Sequence, residues 1–338
     1  MENPESPSFN SANAGKEWEQ SSNIDTQQLG KQTLDAMGFG ESAKTGEIVE
    51  LLSRVPAEER GDLPSLLEAV PEDVQKKYIR AIEAGLGSKD EVAARTAIRG
   101  AAFELIRISS VMKQGLEQID FGLEIPDTIH FLGYAKKDGF DVEPTKEYDS
   151  TIELDVPLIR DGKPYVYETK SYPRMQFGSL PKQRNQMLKY QAAINDGIVD
   201  GATVEIKGRI HSRILDWATE HVPDVEIIYS MGLPSGAEYR FALKRAENGN
   251  GLGFRNEERS GTPEEMAEDE RVISGIQKAV FDGTIANILS SVDIENPSEE
   301  LAPYLEDPMG IKDAGLFDEY ERLRQKSIFK KLIEKSAE

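Results

Sequence analysis

Two β-rich runs, Thr151–Ile159 (TIELDVPLI) and Pro164–Ser171 (PYVYETKS), stand on either side of Arg160-Asp161-Gly162-Lys163. An Asp-Gly step suits the left-handed backbone of a tight two-residue turn, whose twist matches that of the strands it joins. The two runs are therefore expected to form an antiparallel hairpin. Short candidate strands precede it at Thr128–Tyr134 and Phe140–Glu143. After it come a helix from about Leu180 to Asn195, a strand Thr203–Lys207, a helix Ser212–His221 with Trp217 on its apolar side, and a strand Val225–Ser230. Upstream, Ser88 and Glu91 form a capping-box start for a helix running to about Met112, with Val92, Ala97, Phe103, Ile106 and Val111 available for burial. Helices alternating with strands in this order imply an α/β core.

The flanks read differently. Residues 1–25 are rich in Ser, Asn, Glu and Gly and poor in large apolar groups, the composition of a disordered tail. Residues 26–87 show helical periodicity interrupted by Pro56, Pro64 and Pro71. The α/β core takes residues 88–245 and a linker takes 246–261. Its GNGLG stretch is no phosphate loop, because no strand precedes it and no Lys-Ser/Thr follows. Residues 262–338 read as a helical acidic arm. Thr262-Pro263-Glu264-Glu265 supplies an N-cap, a proline at the first helical position and a glutamate at the third. Helical pattern continues to about Leu289, and a second helix covers roughly Phe317–Lys335. The arm is a candidate surface for a protein partner or a second copy of the chain.

Charge and composition exclude several functions. Without cysteine there can be no disulfide framework, zinc–thiolate site or cysteine nucleophile. No stretch approaches the ~18 apolar residues of a membrane span. The N-terminus has neither the basic nor the apolar region of a secretion signal, so a cytoplasmic protein without a membrane partner is expected. A net charge of −21 argues against generic nucleic-acid binding, but the acidity lies in the flanks. Residues 120–245 hold 16 basic and 20 acidic side chains, whereas residues 246–338 hold 11 and 21. No acid occurs between Glu168 and Asp196, while Lys170, Arg174, Lys182, Arg184 and Lys189 all fall there. A local positive surface can exist on an acidic protein.

Strand alternation assigns candidate chemistry to the hairpin. In the first strand Glu153, Asp155 and Pro157 share a face, opposite Ile152, Leu154 and Val156. In the second, Glu168 and Lys170 share a face. Adjacent strands can thus gather Asp155, Glu168 and Lys170, with Glu153 at the edge. Phosphodiester hydrolysis uses such a set: carboxylate oxygens hold Mg²⁺ or Mn²⁺, which polarises the phosphate and acidifies a bound water. A lysine beside them stabilises the charge that develops in the transition state. His130, His211 and His221 show no metal-ligand spacing.

An Asp in one strand and Glu-x-Lys in the next resembles the PD-(D/E)XK nuclease superfamily. Gln186-Met-Leu-Lys-Tyr190 is similar to the Gln-x-x-x-Tyr signature of its RecB-type branch, and Gly100-Ala-Ala-Phe-Glu104 to that branch's first motif, with Glu104 where many members carry His. The Pro of the family name, which precedes the Asp there, follows it here as Pro157. The resemblance covers roughly residues 95–230. It implies a restriction-endonuclease-like αβββαβ core and metal-dependent cleavage, with DNA as the expected substrate. Asp155, Glu168, the Thr169 carbonyl and Glu104 would be metal ligands and Lys170 the catalytic lysine. Gln186 would bind a phosphate or the attacking water, and Tyr190 would contact the substrate strand. Arg174, Lys182, Arg184 and Lys189 would position phosphates. Two other readings stand beside this one. The first is a catalytically inactive nuclease fold that binds nucleic acid or protein, and the second is a regulatory interaction protein working through its acidic helices.

Overall fold

The computed structural model describes residues 66–67, 70–86, 91–114, 118–136, 139–243, 253–255, 261–291, 293–305 and 314–338. The expected tail 1–25, most of the helical region 26–87, the Ser88 capping box and most of the linker lie outside the described residues. The chain divides into two compact units, Met1–Leu105 and Ile106–Glu338. In the first, helix α1 (Glu72–Leu86) buries Tyr78, Ile79 and Ile82, and Leu67 and Val70 are buried as well. Helix α2 (Glu91–Gln114) runs on into the second unit.

The second unit is mixed α/β. Its strands are β1 (Gln118–Ile119), β2 (Ile125–Gly133), β3 (Lys146–Ile152), β4 (Val156–Arg160), β5 (Lys163–Phe177), β6 (Gly201–Ile210), β7 (Val225–Gly232), β8 (Glu238–Ala242) and β9 (Gly253–Arg255). Helix α3 (Pro181–Asn195) lies between β5 and β6, and α4 (Ile214–His221) between β6 and β7. The main sheet has the order β1-β4-β5-β6-β7-β8-β9, with β5–β6–β7 parallel and the outer pairs antiparallel. Parallel neighbours need a crossover, and α3 and α4 supply the two of them. Strands β2 and β3 form a separate antiparallel pair that packs on α3.

The expected hairpin forms, its turn at Asp161 (φ 49°) and Gly162 (φ 80°), where both residues adopt the left-handed backbone. The first strand differs from expectation. Thr151–Ile159 is not continuous: β3 ends at Ile152 in one sheet and β4 begins at Val156 in the other. Glu153, Asp155 and Pro157 therefore do not share a strand face; Pro157 is buried and Glu153 exposed. Phe140–Glu143 is a turn and bend, not a strand. Strand β6 extends through Lys207-Gly208-Arg209, and Arg209 is buried.

The helices after residue 262 belong to the same core as the sheet. Thr262 and Glu265 make the reciprocal capping box that opens α5 (Pro263–Phe281). The chain breaks at Asp282-Gly283 (Gly283 φ 77°), then forms α6 (Ile285–Ser290) and α7 (Ala314–Ala337). Val272, Ile276, Ala279, Ile285, Leu289, Ile328 and Leu332 join the hydrophobic cluster that includes Val204, Ile206, Ile227 and Tyr229 of the sheet. Helices α5 and α7 meet closely at Gly275, where an added Cβ would lie 1.9 Å from the Leu332 carbonyl oxygen. No helix among the described residues is long and apolar enough to cross a membrane.

Candidate active site at the open end of the β4–β5 hairpin

Side chains alternate along β5, so Glu168 and Lys170 emerge on one face and Tyr167 and Thr169 on the other. Val156 pairs with Tyr167, which brings Asp155, one residue before β4, level with Glu168. The Asp155 Oδ2 accepts the backbone N–H of Thr169 at 3.0 Å. That bond explains the broken strand. The carboxylate takes the place of the carbonyl that a longer β4 would have offered, and the chain is free to turn into β3. Asp155 is thus held on β5 by the backbone itself.

Glu168 is the buried member, only 2% exposed. A buried carboxylate has to be compensated, and three donors surround this one. The Lys170 ammonium pairs with Oε1, the Gln186 Nε2 donates to Oε1 at 2.5 Å, and the Tyr190 hydroxyl donates to Oε2 at 2.8 Å. Gln186 and Tyr190 share a face of α3 because they are four residues apart, and their polar ends lie 2.7 Å from each other. The Lys170 Nζ also lies 3.7 Å from Asp155 Oδ2. Five residues named from the sequence, Asp155, Glu168, Lys170, Gln186 and Tyr190, therefore converge. Helix α3 is held for this by its start: the Gln183 Oε1 accepts the N–H groups of Gly178 and Leu180, and Pro181 needs no donor partner.

The remaining candidates divide. Lys189 sits beside the cluster and donates to the Thr151 carbonyl at 2.8 Å, tying α3 to β3. Burial pushes its ammonium below the usual lysine value, and Lys170 adds to the effect while Glu153 opposes it. Lys182 is exposed on the first turn of α3. Arg184 departs from the phosphate-contacting role: it is fully buried, donates to the carbonyls of Gly178 and Gly139, and stacks over Tyr134 and Phe140. A guanidinium enclosed by two rings and two carbonyls is a structural group. The Arg174 side chain lies outside the described residues. Glu104 belongs to the first unit, half-buried on α2.

Two polar clusters in the second unit were not expected. On the reverse face of the sheet Glu205 is fully buried, with Arg107 Nε at 2.6 Å and Arg240 Nε at 3.0 Å from its Oε1. The Tyr167 hydroxyl donates to its Oε2 at 2.6 Å, Ser230 donates to Oε1, and Arg107 reaches Glu238 at 2.8 Å. Burial pushes the Glu205 carboxyl up, but Arg107 and Arg240 more than reverse this and hold it below the usual range. In sequence, TVEIK reads as a strand with one solvated face. A central strand in a parallel sheet is covered on both faces, and that is the signal that marks Glu205 as paired.

The second cluster lies in a cleft of about 210 Å³ lined by Tyr134, Phe140, Trp217 and several acids. There His221 meets Glu143 and Glu220, with a ligand atom of each within 4.8 Å of the others. The His221 Nδ1 lies 3.0 Å from the Trp217 carbonyl and its Nε2 3.1 Å from the Glu143 carboxylate, so each ring nitrogen faces an oxygen acceptor. Two carboxylates and an imidazole can hold a cation, and the His spacing in sequence gave no sign of it. No family model, curated protein or solved structure matches the chain.

Proposed function

We propose that this protein is a divalent-metal-dependent nuclease that hydrolyses phosphodiester bonds, those of DNA first, on a restriction-endonuclease-like αβββαβ core. The observation that carries the reading is the convergence of Asp155, Glu168, Lys170, Gln186 and Tyr190 at one hairpin end. With the separate β2–β3 pair set aside, the order α2, β1, β4, β5, α3, β6, with β5 and β6 parallel, supports the core assignment. The donor chemistry fits Mg²⁺ or Mn²⁺: Asp155 and Glu168 offer hard oxygens, and the Lys170 ammonium beside both marks a place suited to positive charge. The Thr169 carbonyl leaves β5 on the same edge as the N–H bound to Asp155. When bound, the ion would polarise the phosphate and lower the pKa of a coordinated water. Of the chain's own groups, Asp155 and Glu168 hold the ion. Lys170 stabilises the charge that develops on the phosphate, Gln186 and Tyr190 orient Glu168, and Lys189 and Lys182 position the strand.

Cleavage of labelled single- and double-stranded DNA and of RNA, in Mg²⁺ and in Mn²⁺, tests the reading. Loss of one well-placed electrostatic donor costs about 10²–10³ in rate. Lys170→Ala is expected to lose that much while retaining nucleic-acid binding, and Lys170→Arg not to rescue it, since a planar guanidinium does not replace a compact ammonium. Equal cleavage by wild type and Lys170→Ala would remove Lys170 from the site.

A second reading, a nuclease fold kept for binding alone, draws on one observation: both Glu168 oxygens are already engaged by protein donors. Binding of DNA by a wild type that cuts none of these substrates would favour it.

A further inference from the structure

We infer that Lys170 is the resident counter-cation of the Asp155–Glu168 pair, so that a divalent ion enters this site only by driving the ammonium out. The inference rests on the metal-site reading above and deepens it. Its ground is the geometry of the pair. The Lys170 Nζ is ion-paired to Glu168 and lies 3.7 Å from Asp155 Oδ2, within reach of both carboxylates. Neither acid can easily move away. Asp155 is bonded to the Thr169 backbone, and Glu168 lies under the Gln186 and Tyr190 donors of α3. The lysine is the part that can move, since its charge rides on a flexible four-carbon stem and it keeps about 20% of its side chain exposed.

An ammonium and a divalent ion so close to the same two carboxylates repel each other strongly at the low effective dielectric of a half-buried site. The two are therefore alternatives. Displaced from the acids, the ammonium needs an anionic partner, and a phosphodiester at the mouth of the site would supply one. Metal and anion should then each favour the other's binding, and by the same factor. Lys170 thus holds the acids together without metal and is released toward the anion once metal is present.

Titration calorimetry with Mn²⁺ on the full chain tests this without reference to cleavage. The proteins are wild type, Lys170→Met, Lys170→Gln and, as a control, Lys163→Met at the exposed start of β5. A neighbouring charge shifts a carboxylate equilibrium by roughly one to three powers of ten. Both Lys170 variants are therefore expected to bind Mn²⁺ at least about tenfold more tightly than wild type by that comparison, and Lys163→Met to match wild type. Lys170→Gln keeps a hydrogen-bond donor for Glu168 on a stem one atom shorter, and so serves as the second variant if Lys170→Met does not fold. Circular dichroism identifies which variants are folded. Binding by the variants with none by wild type is the extreme form of the expected result. Equal or weaker binding by the folded Lys170 variants overturns the inference, and leaves the metal site standing where Asp155→Asn abolishes that binding. Absence of Mn²⁺ binding in all four proteins removes the metal site itself, and this inference with it.

Discussion

An ionic cluster lies against each face of strand β5, and the two are built to opposite ends. On one face Asp155, Glu168 and Lys170 hold two negative charges against one positive, and Asp155 and Lys170 keep 18–20% of their side chains exposed. On the other, Glu205 and Glu238 balance Arg107 and Arg240, and Arg107 and Glu205 are wholly buried. At the closed cluster arginines meet both acids, with Lys207 3.9 Å from Glu238 at its edge, so no negative charge is left over, which suits a group that must stay in place. The open cluster has a surplus negative charge and one edge to solvent. Unbalanced charge beside water is where a protein can take up a cation or an anion, and balanced charge away from water is where it cannot. Neither arrangement is read from the charges alone, because both faces contain acids and bases on neighbouring strands.

The largest expected effect breaks the closed cluster. Arg107→Met leaves Glu205 short of a partner away from water, and removing one member of a buried pair costs about 3–5 kcal/mol. Adding Glu205→Gln restores the balance and should recover part of the loss. Lys170→Met, at the open cluster, should cost less, because Glu168 keeps its Gln186 and Tyr190 donors and Lys170 is itself partly exposed. Urea unfolding of the four proteins gives the comparison, and similar costs for Arg107→Met and Lys170→Met would abolish the contrast drawn between the two faces.

Acid should distinguish the clusters next. The Glu205 carboxyl is held below its ordinary value of 4.5 in the folded chain. A carboxylate with a depressed folded pKa stabilises the fold at all pH values above the unfolded one, and the contribution is lost as pH falls through the folded value. Stability measured from neutral pH downward should therefore fall below pH 4.5 in wild type, and less steeply in Glu205→Gln. A decline of the same slope in both would assign the acid sensitivity to other carboxylates.

The smallest effect is at the rim. Lys182→Ala should leave the melting temperature unchanged and lower the salt slope of DNA binding by about one, as for one lost phosphate contact. Arg184→Ala, two residues away, should do the reverse, since Arg184 is enclosed by carbonyls and rings. A change in salt slope at Arg184 with no loss of stability would return it to the binding surface.

The same contrast explains what could be read in the sequence. Asp161-Gly162, the alternation of Glu168 and Lys170, and the four-residue spacing of Gln186 and Tyr190 are local patterns, and each appears as expected. The break at Asp155 is not local. It depends on Thr169, fourteen residues on, donating its backbone N–H to a carboxylate in place of a strand neighbour. Arg184 shows the same limit, because a basic residue at a helix start looks identical in sequence whether water or two aromatic rings cover it. The burial of β6 on both faces, and with it the role of Glu205, follows from sheet order. The helices after residue 262 look like a charged arm in composition, yet Val272, Ile276 and Leu332 carry them into the core.

The parallel pairing of β5 with β6 also has a bearing on how the chain reaches this state. Tyr165 meets Gly201 and Lys170 meets Ile206, with all of α3 in between, so no turn can bring these strands together. Loop closure must precede any return from pairing, and topologies rich in such distant contacts fold slowly. The β4–β5 hairpin, by contrast, can close early through its two-residue turn. During that interval Glu168 would stand on a finished hairpin without the Gln186 and Tyr190 donors, and Lys170 would be its nearest charge partner. The lysine that serves the site in the mature molecule would thus also shield its acid while the rest of the chain assembles.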